Sequence, residues 1–160
     1  MDNQFNIKDI KVHRTTEGTI FEIVFVLVAI VVWGLIIRMV YQAPDIVPTH
    51  FDASGKPNAY GSPASVTIPC IIITIAAIGL MVTAYFPRYI NMPFKITNIR
   101  QVELALRQLR IAGIIFLFVP LAVAYMMLGM GTPSPTPILV VIGLLLLEIL
   151  VFTILIYKAK

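Results

Sequence analysis

Four long apolar runs, at 20–41, 66–86, 111–130 and 138–157, constrain this chain more than any other feature. Each has about the ~20 helical residues needed to cross ~30 Å of hydrocarbon. Inside a bilayer the backbone finds no water, so a crossing segment must close its hydrogen bonds within itself, which a single run does only as a helix. The expected fold class is an all-α membrane protein, with four transmembrane helices in a bundle and a cytoplasmic amphipathic helix beside them. Composition agrees: 59% of the 160 residues are apolar and 12% are charged. Soluble domains carry ~45–50% and ~25% respectively, and a small soluble domain has too much surface to hide this excess. A soluble enzyme, a disordered tail and a secreted disulfide scaffold are thereby excluded. Cys70 is the one cysteine, so neither an intrachain disulfide nor a cysteine zinc site can form.

The segments between the runs set the topology. Residues 1–19 are polar and mixed in charge, and the run that follows is too long for a signal-peptide core, so it is expected to remain as the first span of a membrane domain over 20–160. Thr19 and Glu22 have capping-box spacing at its start. The first loop, 42–65, is rich in Pro and Gly, which is turn chemistry. In the second loop, 87–110, Ile99, Val102, Leu106 and Leu109 recur at helical spacing. Asn98 suits a cap and Glu103–Arg107 an i,i+4 pair. An amphipathic surface helix over 98–110 should run on into the third span. Pro120 should kink that span. The third loop, 131–136, is short, so spans three and four should form a tight hairpin; Thr136 and Pro137 suit the start of the fourth.

Charge then orients the chain. Lys8, Lys11, Arg14, Arg88, Lys95, Arg100, Arg107, Arg110, Lys158 and Lys160 fall on one side, ten of the twelve basic residues. Arg38 and Lys56 fall on the other. The positive-inside rule puts both termini in the cytoplasm and the 42–65 loop outside. The net charge of +4 is thus an orientation signal, and no nucleic-acid partner is expected.

Few residues are left to carry chemistry. Asp45, His50 and Asp52 cluster in the outward loop. His50 and Asp52 are weak candidates for a metal site; the same residues equally suit Asx-type turns and loop packing. Glu148 stands in the middle of the fourth run, where an ionised carboxylate costs ~2.5–3.5 kcal/mol on insertion scales. It should face other helices, either as an ion, proton or partner site or as an acid hydrogen-bonded to Tyr125, Thr74 or Thr83. Asn91 and Pro93 mark a turn ahead of the surface helix. Arg100, Arg107 and Arg110 would contact anionic lipid or a cytoplasmic partner. No nucleophile elbow, zinc-protease motif or phosphate loop is present, so neither an enzyme nor a cofactor is expected.

The outward loop contains Pro44-Asp45, then Pro48-Thr49-His50-Phe51-Asp52, then Gly55, Pro57 and Tyr60-Gly61-Ser62. This order resembles the signature of a bacterial membrane domain of unknown function that forms the N-terminal part of SdpI-type immunity proteins. The segment 89–97, with Asn91 and Pro93, resembles that family's Asn-x-Pro element after the second span. Asn58 stands where the family has Asp, and Pro63 where it has Lys. The resemblance implies a multi-pass protein of the bacterial inner membrane, with immunity against a toxic peptide or envelope signalling as its task and a peptide at the outward loop. A four-span chain would correspond to the N-terminal part of such proteins. Two other roles are compatible with the residues themselves. One is an accessory subunit of a larger membrane complex, or a homo-oligomer; the other is an ion or proton conductor using Glu148.

Overall fold

A computed structural model describes residues 5–52, 54–129 and 134–160. Its elements in chain order are helix α1 (Thr16–Gln42), strands β1 (Val47–Phe51) and β2 (Pro57–Gly61), and helices α2 (Thr67–Thr83), α3 (Ile99–Phe116), α4 (Phe118–Leu128) and α5 (Thr136–Lys158). Four helical stretches are long and apolar enough to cross a membrane: α1, the 3-10 turn at Pro63–Val66 with α2, α3 with α4, and α5. The expected surface helix and third span are therefore one rod. It is interrupted at Leu117, three residues before Pro120, whose missing N–H and ring disturb the preceding turn.

Burial periodicity assigns the packing. The buried residues of α1 are Gly18, Phe25, Val32 and Ile36, those of α2 Cys70, Ala77 and Met81, and those of α5 Val141, Glu148 and Ile156. Steps of seven, four or eight keep each set on one narrow stripe. In α3, by contrast, Gln101, Val102, Ala105, Leu106, Arg110, Ala112 and Gly113 are all buried. The α3–α4 rod is accordingly the central element, touched by α1, α2 and α5. Small residues let these backbones approach closely. A Cβ on Gly113 would lie 3.1 Å from Met81 Cγ and 3.4 Å from the Ala77 carbonyl oxygen.

Several local expectations are corrected. Helix α1 begins earlier than the capping box implied: Thr15 Oγ1 accepts the Gly18 N–H at 3.0 Å, which leaves Glu22 free for other bonds. At the start of α5, Ser134 Oγ rather than Thr136 accepts a backbone N–H, that of Thr136. Asn98 does cap α3, accepting the Gln101 N–H at 3.0 Å. Of the turn expected over 131–136, residues 131–133 lie outside the described residues, as does Met130.

The largest departure is the 42–65 loop, which holds an antiparallel β-hairpin rather than turns alone, so the chain is not purely α-helical. Val47 pairs with Gly61, Pro48 with Tyr60, His50 with Ala59 and Phe51 with Pro57, with irregular register beside His50. Pro48 and Pro57 cannot donate to a ladder, which suits a two-stranded edge structure. Val47 and Val66 are buried in one cluster with Ile36, Ala124 and Leu128, so the hairpin is seated on the ends of α1 and α4. At the opposite end lie the basic loop and both termini. Ala84, Ile96, Val102 and Leu106 form a second cluster there, against which Phe5, Ile7, Ile10 and Val12 of the N-terminal segment pack.

Candidate functional site

Chemistry concentrates at the hairpin end, at the basic end and at Glu148. At the hairpin end the turn is built by Asp52. Its Oδ1 accepts the Ser54 N–H at 2.8 Å, the Ser54 hydroxyl at 2.7 Å and the Lys56 N–H at 3.0 Å. These donors, the Ser54 hydroxyl foremost, hold its carboxyl below the ordinary carboxylate range. Gly55 takes φ +79°, a conformation that costs glycine little. His50 Nδ1 lies 2.5 Å from Asn58 Oδ1 across the hairpin. The two expected metal candidates are thus engaged separately, Asp52 in its own turn and His50 with Asn58. Asp45 is exposed ahead of β1. Among the described residues no three His, Cys, Asp or Glu side chains converge as a metal site. Ile46, 68% exposed, and Tyr60, 62% exposed, stand out from the hairpin.

The basic end is tied together by side chains far apart in sequence. Glu22 accepts the Tyr85 hydroxyl and pairs with Arg14 at 2.6 Å. Arg107 grips Glu17 with two bonds, Nε at 2.6 Å and a terminal nitrogen at 3.1 Å, where the expected partner was Glu103. Arg110 is buried, with its guanidinium 5.7 Å from the Tyr85 ring centre. It is turned inward, away from the lipid or partner contact expected of it, while Arg100 is exposed. Gln101 is fully buried: its Nε2 donates to the Ile156 carbonyl at 2.9 Å, and its Oε1 accepts the Thr97 N–H at 2.7 Å. Asn98 Nδ2 donates to the Ala159 carbonyl at 2.9 Å. These two residues close the N-terminus of α3 and the C-terminus of α5 together.

Glu148 is 8% exposed, and neither carboxyl oxygen has a hydrogen-bond partner among the described residues. The partners expected for it are occupied or elsewhere. Thr74 donates to the Cys70 carbonyl and accepts from Trp33, Thr83 donates to the Gly79 carbonyl, and Tyr125 is 54% exposed. Ile156 is level with Gln101, and Val141 shares a cavity with Leu121 and Ala122. Glu148, midway between them on the same stripe, is level with the second half of α3, shortly before the break at Leu117.

Asn91 and Pro93 line a cavity of about 460 Å³ beside α3. Sequence reasoning did not find the ties of Glu17, Glu22, Tyr85 and Gln101. The available signals were two acids at the mouth of an apolar run and a glutamine on the apolar face of 98–110.

Helices of this length and composition, one of them carrying a buried acid, support a multi-pass membrane protein with one hairpin-bearing end and one basic end. Residues 25–74, from α1 through the hairpin into α2, match DUF1648, a domain of unknown function. An uncharacterized protein of Archaeoglobus fulgidus is 35% identical over 86 residues, which are 48% of this chain and 47% of that protein. The chain therefore spans about half the length of the curated relative it matches. No solved structure matches the chain.

Proposed function

We propose that this chain is a recognition protein of a prokaryotic cytoplasmic membrane, not an enzyme, and that its hairpin end faces outward to bind a peptide or partner. Immunity against a toxic peptide or envelope signalling, as in the SdpI-type proteins whose loop it resembles, is the corresponding task. The observation that carries this reading is the seating of the hairpin. Val47 and Val66 are buried against Ile36, Ala124 and Leu128, while Ile46, His50, Asn58 and Tyr60 are exposed. A rigid base with exposed apolar and polar groups suits recognition, since little ordering remains to be done on binding. The matched family segment spans this unit. The test is survival of cells challenged with membrane-active toxic peptides, with and without the gene, and with Tyr60→Ala and His50→Ala. Protection that is lost in the deletion and reduced in the variants supports the reading. Unchanged sensitivity, with no change in the output of neighbouring regulators, removes it.

A second reading, an ion or proton site, is favoured by Glu148. An unpartnered buried acid inside a span is costly and by default a functional candidate. Proton flux in liposomes that is equal for the wild type and Glu148→Gln would sink it.

A further inference from the structure

Two cavities lie at the basic end, with linings that adjoin in sequence at Arg88 and Tyr89. The larger, about 460 Å³, is a crevice floored by α3 (Leu109, Ala112, Phe116) and walled by Leu80 of α2 and by Leu145 and Ile149 of α5. Its lining on α3 runs from Ala105 to Phe116, roughly 16 Å of helix. A long apolar crevice of this kind suits an extended hydrocarbon chain. The lining is graded. Tyr89, Asn91 and Gln108 lie towards the basic end, and the far end is purely apolar.

The second cavity, about 370 Å³, is a cup between the N-terminal segment and the 3-10 turn at Pro87–Tyr89. It is lined by Lys8, Lys11 and Arg88 together with Tyr85 and Phe86 and, among the described residues, by no acidic one. Glu22, which binds Tyr85, is itself paired with Arg14. Arg88, in the cup, touches the crevice lining at Tyr89. Its guanidinium lies 4.7 Å from the centre of the Tyr89 ring, in the crevice wall, and donates to the Tyr89 hydroxyl at 2.9 Å. A planar guanidinium held by an aromatic face is well suited to phosphate.

We propose that the basic end binds one anionic phospholipid, its phosphate held by Arg88, Lys8 and Lys11 and one acyl chain laid in the crevice between α2 and α5. Charge complementarity selects the headgroup, and the crevice's apolar length and polarity gradient select the chain. The site is independent of peptide recognition at the hairpin end.

The test is native mass spectrometry of the full chain, released from detergent with phosphatidylglycerol or phosphatidylcholine added. One phosphatidylglycerol per chain should survive activation that strips phosphatidylcholine. Ile149→Trp fills the crevice from a position that is already 46% exposed, so folding is spared; retention should fall at least tenfold. Arg88→Ala should reduce the preference for phosphatidylglycerol at least fivefold. Val24→Trp, on an exposed face of α1 away from both cavities, should change neither. Inorganic phosphate and glycerol 3-phosphate at millimolar concentration should fail to displace the lipid; displacement would assign the cup to a soluble anion and overturn the proposal. Equal retention of both lipids, or unchanged retention in Ile149→Trp, would also overturn it. So would efficient dimer crosslinking through Ile149→Cys, which would put a second copy over the crevice.

Discussion

The hairpin end and the basic end are held together in different ways. At the hairpin end the polar bonds are local: Asp52 serves Ser54 and Lys56, and His50 meets Asn58 only 8 residues on. At the basic end local ties such as Arg14–Glu22 are joined by others between distant segments. Arg107 and Glu17 are 90 residues apart, Tyr85 and Glu22 63, and Gln101 and Ile156 55. Local bonds shape a motif that can vary its exposed groups without disturbing the helices. Long-range bonds fix how the helices meet and leave little freedom at that end. The contrast fits a recognition surface carried on a clamped base.

The strongest way to break this contrast is at Gln101. It is fully buried and connects Thr97 with the end of α5. Gln101→Ala should cost about 2–4 kcal/mol, because it removes several bonds, leaves buried polar groups unpaired and opens a void. Reversible denaturation in mixed detergent measures the loss. A loss under ~0.5 kcal/mol, within the range of ordinary surface substitutions, would mean that the basic end is no clamp.

Glu148 sharpens the comparison with the opposite sign. A buried carboxyl without partners costs stability, so Glu148→Leu should raise it by about 1–3 kcal/mol. In the same unfolding assay, a destabilised variant would mean that the carboxyl has a partner in the membrane.

Next in size is the Arg107–Glu17 pair, whose side chains are 45% and 48% exposed. Glu17→Gln should cost no more than about 1 kcal/mol, since solvent screens exposed pairs. The cost should shrink further between low and high salt, given a Debye length of ~8 Å at 0.15 M. A larger, salt-independent cost would show that this pair, rather than Gln101, carries the clamp.

The same contrast explains what could be read from the sequence. The four spans were legible because hydrocarbon solvent imposes length and apolarity on each run separately. The Asn98 cap was legible because it is local. Glu17–Arg107 was not, since Glu103 offered an equally plausible local partner and nothing in the spacing favours one 90 residues away. The N-terminal segment reads as a polar tail, yet Phe5, Ile7, Ile10 and Val12 were a signal that it packs. The hairpin was hidden by its prolines, which suggest turns but are tolerated in a two-stranded edge structure. The crevice was invisible, because it exists only where α2 and α5 flank α3.

The smallest global effect is expected at Asp52, where the local character of the hairpin end is tested most directly. Asp52→Ala removes the acceptor for Ser54 and Lys56, so amide exchange should quicken at Lys56 and its turn neighbours. The helices should keep their protection, because Val47 and Val66 still hold the hairpin down. The pH dependence has a definite sign. The folded carboxyl titrates below its unfolded value, so the charged form is the one the turn stabilises. Its contribution is complete above the unfolded value of ~3.9 and fades as pH falls through the lowered folded value. Exchange protection at Lys56, corrected for intrinsic rates, should therefore be flat from pH 8 to pH 5. A loss of protection within that window would mean that a group other than Asp52 holds the turn. The hairpin would then be a pH-responsive surface instead of a constant one.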